Sequence, residues 1–215
     1  MKKMMHTKLF VALLLLVTAT LLVSAAFAGT STETGNRSQS GSSDLLSQLN
    51  SLPPFKFEKH KYGIGYGLCP VYTAPYTDAY RCANGKASCQ TNAAMDDAGY
   101  ADVPGWLLVR YEVNSGGYRV GYIPPKYVKG FKSKMAPHFG WIPAKANDYI
   151  YVSDNPYRHD DSFGRLDPGE SFHILSRYNY YAKEGYDWWY IECYVDGQVA
   201  RGFIDYYGAS FTLGN

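Results

Sequence analysis

The sequence predicts an all-β protein built as two tandem small β-barrels, and three observations carry that expectation. Short β-type runs alternate with turn residues from about Phe55 onward, with no long amphipathic helix among them. Hairpin chemistry separates the clearest runs: Asn114-Ser115-Gly116-Gly117 between 106–113 and 118–123, and Asp196-Gly197 between 188–195 and 199–204. The two halves also repeat one another. Aligning Trp106 with Trp188 lays Leu107-Leu108-Val109 over Trp189-Tyr190-Ile191. Gly121-Tyr122-Ile123 then follows 15 residues after Trp106, and Gly202-Phe203-Ile204 follows 14 after Trp188. Upstream, Val71-Tyr72 corresponds to Ile150-Tyr151. A unit of about 60 residues used twice argues for two small barrels rather than one large fold.

The elements follow in order. Residues 1–28 read as a signal peptide. Lys2, Lys3 and Lys8 precede an apolar run from Leu9, and Ala26-Phe27-Ala28 before Gly29 is the small-x-small pattern of a cleavage site. The rival reading is an uncleaved anchor, which Thr18, Thr20 and Ser24 weaken. Cleavage after Ala28 makes the protein secreted, with no membrane attachment afterwards, and leaves 18 basic against 19 acidic residues, a net charge of −1. Neither that charge nor the +2 of the whole chain suits nucleic acid, and no polybasic surface is visible.

Residues 29–55 read as a Ser/Thr/Gly-rich linker, disordered at least up to Ser43, with 44–49 able to form one helical turn before Pro53-Pro54. The first barrel is expected over 56–130, with Tyr62-Gly63-Ile64-Gly65-Tyr66-Gly67 as a lead-in that matches no phosphate loop. A connector, 131–147, is too apolar for a free tether, and Trp141 and Ile142 are expected to pack between the barrels. The second barrel takes 148–215. Alternation puts Leu107, Val109 and Tyr111 on one face of their strand, and Trp189, Ile191 and Cys193 on the equivalent face of theirs. Trp106 and Trp188 point the other way. That placement fits either packing under a long loop or a ligand platform.

The run Trp106-Leu107-Leu108-Val109-Arg110, a turn, then Gly121-Tyr122-Ile123-Pro124-Pro125-Lys126-Tyr127-Val128 resembles the C-terminal half of an SH3 barrel. With the export signal, the chain is similar to secreted proteins carrying tandem bacterial SH3 (SH3b-like) domains. The resemblance covers about 70–130 well and 148–210 less well. It implies a ligand groove lined by Trp106, Pro124, Tyr127 and Tyr72, suited to proline-rich or other short peptides and to cell-wall glycopeptide. In the second unit Trp188 is kept, but Asp205 stands where the first has Pro124, so that groove is altered.

Four cysteines allow three complete pairings. Cys82 and Cys89 flank the Asn84-Gly85 turn and form the favoured bridge, given a bulge or wider loop. Cys69 with Cys193 would clamp the barrels together, and a buried Cys193 thiol is the competing reading. No spacing suits zinc, and His159-Asp160-Asp161 reads as a solvated loop rather than a metal site. No cofactor is implied. His60, His138, His159 and His173 carry no peptidase motif, there is no Gly-x-Ser-x-Gly, and no enzyme is expected. The sequence therefore points to a secreted, monomeric, non-catalytic binding module for bacterial cell-wall peptidoglycan or a short peptide. The alternatives are a structural or adaptor protein that recruits or regulates another exported protein and, behind it, an unrecognised hydrolase.

Overall fold

Period-two alternation decides which side chains each strand buries, and a computed structural model describes residues 39–59, 68–90, 95–113, 117–127, 136–157, 161–179 and 187–214. The expected leader 1–28, the start of the linker, His60, the lead-in 62–67, the closing Val128 and His159-Asp160 lie outside the described residues. In chain order the first elements are α1 (Gln39–Ser51), β1 (Pro54–Phe55), β2 (Glu58–Lys59), β3 (Leu68–Pro70), α2 (Cys82–Gly85) and β4 (Ser88–Gln90). Next come β5 (Asp96–Tyr100), β6 (Leu107–Glu112), β7 (Tyr118–Ile123) and a 3-10 turn at Pro125–Tyr127. The remainder is β8 (Ile142–Ala146), β9 (Ile150–Val152), β10 (Gly164–Leu166), β11 (Ser171–Asn179), β12 (Asp187–Val195), β13 (Gln198–Asp205) and β14 (Phe211–Leu213). The fold is all-β, with helix confined among the described residues to α1, α2 and the 3-10 turn. No described helix is long and apolar enough to cross a membrane.

The ladders fall into two main sheets. The first half contributes β2-β5-β6-β7, with β3 and β4 paired separately. The second contributes β13-β12-β11-β8-β14, onto which β1 adds in parallel along β11, with β9 and β10 paired separately. Among the described residues no ladder closes into a barrel. The sheet of the second half starts at β8, six residues before the expected boundary at 148, because β8 is held on both edges by β11 and β14.

The internal repeat is visible in the hairpins. Val109 pairs with Gly121 across β6–β7, and Ile191 with Gly202 across β12–β13, which keeps Trp106 and Trp188 equivalent. The upstream match shifts by two residues from the one expected. Gly121 lies against Val71 and Tyr72, and Gly202 against Val152 and Ser153, so Val71-Tyr72 is equivalent to Val152-Ser153. Single bridges Tyr72↔Tyr122 and Ser153↔Phe203 complete the correspondence.

The apolar side chains gather in three clusters rather than two. Leu107, Val109 and Tyr111 pack with Val71, Met95 and Ile123, as alternation requires. Trp189, Ile191 and Cys193 pack with Ile142, Val152 and Phe172. The opposite faces meet each other: Trp106, Leu108 and Tyr122 of the first half share a core with Trp188, Tyr190 and Phe203 of the second. Phe55 sits among these rings, with centroids 5.2–6.2 Å from those of Tyr178, Tyr190, Phe57, Phe139 and Phe203. The tryptophan-bearing faces are turned inward. Each is covered by the other half, and all described residues fall in one compact unit.

The segments expected as linker and as connector are both built into the fold. Within the expected linker, α1 turns Leu45 and Leu49 onto the core of the second half, and Leu52, just past its end, joins them there. Phe55 of β1 lies in the shared core. In the connector, Ile142 is buried in the cluster of its own sheet and Phe139 packs on the shared core, while Trp141 is half-exposed. Trp141 lies outside because alternation along β8 sends Ile142 in. Its ring stacks on His173, 4.1 Å between centroids and 23° between planes.

His173 sits opposite Glu192 across β11–β12. Partial burial pulls the imidazole below its ordinary value, and Glu192 offsets this in part. Protonation of an imidazole stacked on an indole quenches its fluorescence. Trp141 emission is expected to fall on acidification with a midpoint below about 6.5, the ordinary histidine value. His173→Gln removes the step, and a titration unchanged in that variant contradicts the assignment. The sign for folding follows: His173 favours the folded state above about 6.5, and this contribution is lost as the pH falls through its lower folded value.

One buried charge pins the halves together. Arg201 on β13 is 2% exposed. Its Nε donates to Glu192 Oε2 at 2.8 Å, and Nη1 and Nη2 donate to the two carboxylate oxygens of Asp102 at 2.7 and 3.0 Å. Nη1 also donates to Tyr122 Oη at 3.2 Å, which in turn accepts from Tyr190 Oη at 3.1 Å.

Candidate functional site

The expected groove of the first half is filled by the protein itself. Trp106 is 6% exposed and meets Tyr72 edge-on, 5.4 Å between centroids and 87° between planes. Pro124 is buried, and Tyr127 is half-buried under the Lys126 ammonium, 4.9 Å from its ring centre. The structure thus joins Trp106 to Tyr72, and Pro124 to Tyr127 through the backbone bond from Tyr127 N to Pro124 O, 3.0 Å. Trp106 presents no platform to solvent, because its strand face belongs to the shared core. Tyr72 carries the Arg81 guanidinium over its ring at 5.0 Å and lines a concavity with Tyr80, Arg81 and Gln198.

The open aromatic surface belongs to the second half. Alternation along β9 buries Ile150 and Val152 and turns Tyr149 and Tyr151 outward, 56% and 62% exposed. Between them and the start of β12 lies a pocket of about 230 Å³, lined also by Trp188, Asp205, Ser162 and Gly208. Trp188 is buried, so the pocket has an apolar wall that is fixed by packing. Asp205 forms its acidic edge and is held there by its own turn: Oδ1 accepts from Tyr207 N at 2.8 Å and Gly208 N at 2.9 Å. Tyr207, on that turn, is 75% exposed.

Tyr151 stands on a ridge. On its far side lies a wider, shallower concavity of about 540 Å³ lined by Arg165, Asp167, Glu170, Tyr194 and Asp196. The Arg165 guanidinium lies 4.4 Å over the Tyr149 ring and pairs with Asp167 at 2.8 Å, steadying one tyrosine. Flat rings with hydroxyl tips, carboxylates at the margins and two concavities that share Tyr151 suit an extended ligand with apolar faces and hydrogen-bond donors. Sequence reasoning placed Trp188 here but missed Tyr149, Tyr151 and Tyr207. The alternating pattern Tyr149-Ile150-Tyr151-Val152 was the available signal.

The cysteines sit differently from the expected hairpin. Residues 82–85 form the single helical turn of α2, not a two-residue turn. Cys82 hydrogen-bonds the buried carboxylate of Asp154, and burial together with that charge pushes the thiol well up, leaving it protonated. The residue opposite Cys89 is Cys69. Cys193 lies in the core of the second half, where burial pushes it up to about 12. All four cysteines are buried.

No protein-family model matches the chain, no curated protein matches it, and no solved structure matches it.

Proposed function

We propose that this protein is a secreted, non-catalytic binding module that holds an extended ligand, cell-wall glycopeptide or a short peptide, in the tyrosine-lined groove of its second half. The observation that carries the reading is the exposure of Tyr149 and Tyr151 on a pocket walled by buried Trp188, with exposed Tyr207 on the turn between its lining residues Asp205 and Gly208. Large exposed rings beside a preformed apolar wall are what a ligand with flat faces requires. The SH3-like reading is supported best in this half. A tryptophan-led strand, β12, runs through a hairpin to Gly202-Phe203-Ile204 on β13, and a closing strand, β14, returns to β8. Export through residues 1–28, with cleavage after Ala28, belongs to the same proposal.

Co-sedimentation with purified cell-wall sacculi tests it. Wild type is expected to pellet, and Tyr151→Ala to lose on the order of tenfold in affinity, about 1.4 kcal/mol. Tyr151 is exposed, so its circular dichroism spectrum stays that of wild type. Trp106→Ala is the wrong probe here, because Trp106 is buried and its loss acts on the core. The proposal fails if wild type neither pellets with sacculi nor binds proline-rich peptides by calorimetry.

A further inference from the structure

We propose that Cys69 and Cys89 form a cross-strand disulfide that closes the loop 70–88 onto the first half. Three placements lead there. The two residues are register partners in the β3–β4 ladder, Leu68↔Gln90, Cys69↔Cys89 and Pro70↔Ser88. Val71 N donates to Ala87 O at 3.0 Å, so 71/87 is a hydrogen-bonded pair and, by alternation, 69/89 is another. Directly opposed residues of that kind have Cα atoms about 5.5 Å apart, inside the 4.4–6.8 Å span of disulfides. Side chains of opposed residues also project to the same face of a ladder. Both thiols enter one core cluster, where Cys69 Sγ donates to Pro70 O at 3.5 Å and Cys89 Sγ to Met95 Sδ at 4.0 Å.

The other pairings lack this geometry. Cys82 is turned to Asp154 and Cys193 lies in a different core cluster. A bridge from either to Cys69 or Cys89 needs the packing around it to be rebuilt.

The chemistry balances with a disulfide oxidant such as oxidised glutathione. One thiol loses its proton and attacks a glutathione sulfur, giving a mixed disulfide and one reduced glutathione. The second thiolate attacks the protein sulfur of that bond and releases the second reduced glutathione. Two protons and two electrons have left the cysteines, and one oxidised glutathione has become two reduced ones. Cys69 is fully buried and Cys89 nearly so, which places the exchange during folding, before β3 and β4 close.

The bridge has a structural task. A two-stranded ladder of three pairs is marginal alone. The loop it would close carries Tyr80, whose N donates to Val199 O at 2.9 Å, and Asp78, whose carbonyl accepts from Gln198 Nε2 at 3.1 Å. Closing the loop holds the segment that reaches the second half.

The test is to refold the purified protein in a buffer of reduced and oxidised glutathione, alkylate free thiols, and digest without reduction for mass spectrometry. The expected result is one linked peptide pair joining Cys69 to Cys89, two hydrogens lighter than the sum of its parts, with Cys82 and Cys193 alkylated. Cys82→Ser is expected to keep the link. Reduction is expected to lower the thermal midpoint by roughly 5 °C or more. Four alkylated cysteines, or a link that includes Cys82 or Cys193, overturn the proposal.

Discussion

Arg201→Met is expected to destabilise the protein by about 3–5 kcal/mol, measured as a fall in the urea midpoint with an unchanged slope. The magnitude follows from what remains behind. The Arg201 side chain is wholly buried, and Glu192, its Nε partner at 2.8 Å, has a side chain only 13% exposed. Methionine fills much of the volume but leaves a carboxylate in the interior without its cation. Arg201→Lys is expected to recover only part of the loss, since one ammonium cannot span Glu192 and both oxygens of Asp102 as the planar fork does. Asp102→Asn is the mild member of the series, because that side chain is 43% exposed and water replaces part of the interaction. Burial alone would raise the Asp102 carboxyl, but the hydrogen bond and charge of Arg201 outweigh it and hold the group below its ordinary value. Its contribution is therefore complete above about 3.9 and is lost as the pH falls through the lower folded value. An Arg201→Met protein within 1 kcal/mol of wild type would show that the fork does not pin the halves.

The same contact explains why part of the fold was legible in the sequence and part was not. Alternation places Leu107, Val109 and Tyr111 in one cluster and Trp189, Ile191 and Cys193 in another, and both are found there. Those assignments rest on period-two geometry, which is local. That the two tryptophan faces cover each other is not local. Nothing within either strand says which surface will meet Tyr122 or Tyr190, so the sequence leaves Trp106 open between packing and a ligand platform, and the structure has it packed. Phe55 is a similar case: a dipeptide strand after Pro53 becomes central only by adding in parallel to β11, more than 120 residues away. The leucines of α1 were legible in spacing but diluted by serine, glycine and glutamine, and a linker is what that composition suggests. The groove tells the opposite story. Tyr149 and Tyr151 alternate with buried Ile150 and Val152 in plain view.

Gly202→Ala and Gly121→Ala are each expected to cost about 3 kcal/mol, for a reason that has nothing to do with glycine's backbone freedom. Both residues have ordinary strand conformations, where alanine would normally be favoured by roughly 0.5–1 kcal/mol. The obstacle is the neighbouring segment. A Cβ on Gly202 would lie 2.6 Å from Val152 Cγ1 and 2.8 Å from the Ser153 carbonyl oxygen; one on Gly121 would lie 2.4 Å from Val71 Cγ1 and 2.8 Å from the Tyr72 carbonyl oxygen. A valine methyl can rotate aside, but these oxygens cannot retreat without breaking bonds. Ser153 O accepts from Phe203 N at 2.8 Å, and Ser153 N donates to Phe203 O at 2.9 Å. Tyr72 O accepts from Tyr122 N at 2.7 Å, and Tyr72 N donates to Tyr122 O at 3.0 Å. The close approach and the paired bonds are one device, present once in each half, so the two substitutions are expected to be similarly harmful. Gly197→Ala supplies the contrast. Its φ is +75° and nothing lies within 4 Å of the added carbon, so only left-handed strain of about 1 kcal/mol applies. Urea denaturation of the three variants separates the two causes: if Gly197→Ala proved the most damaging, conformation rather than close approach would govern these glycines.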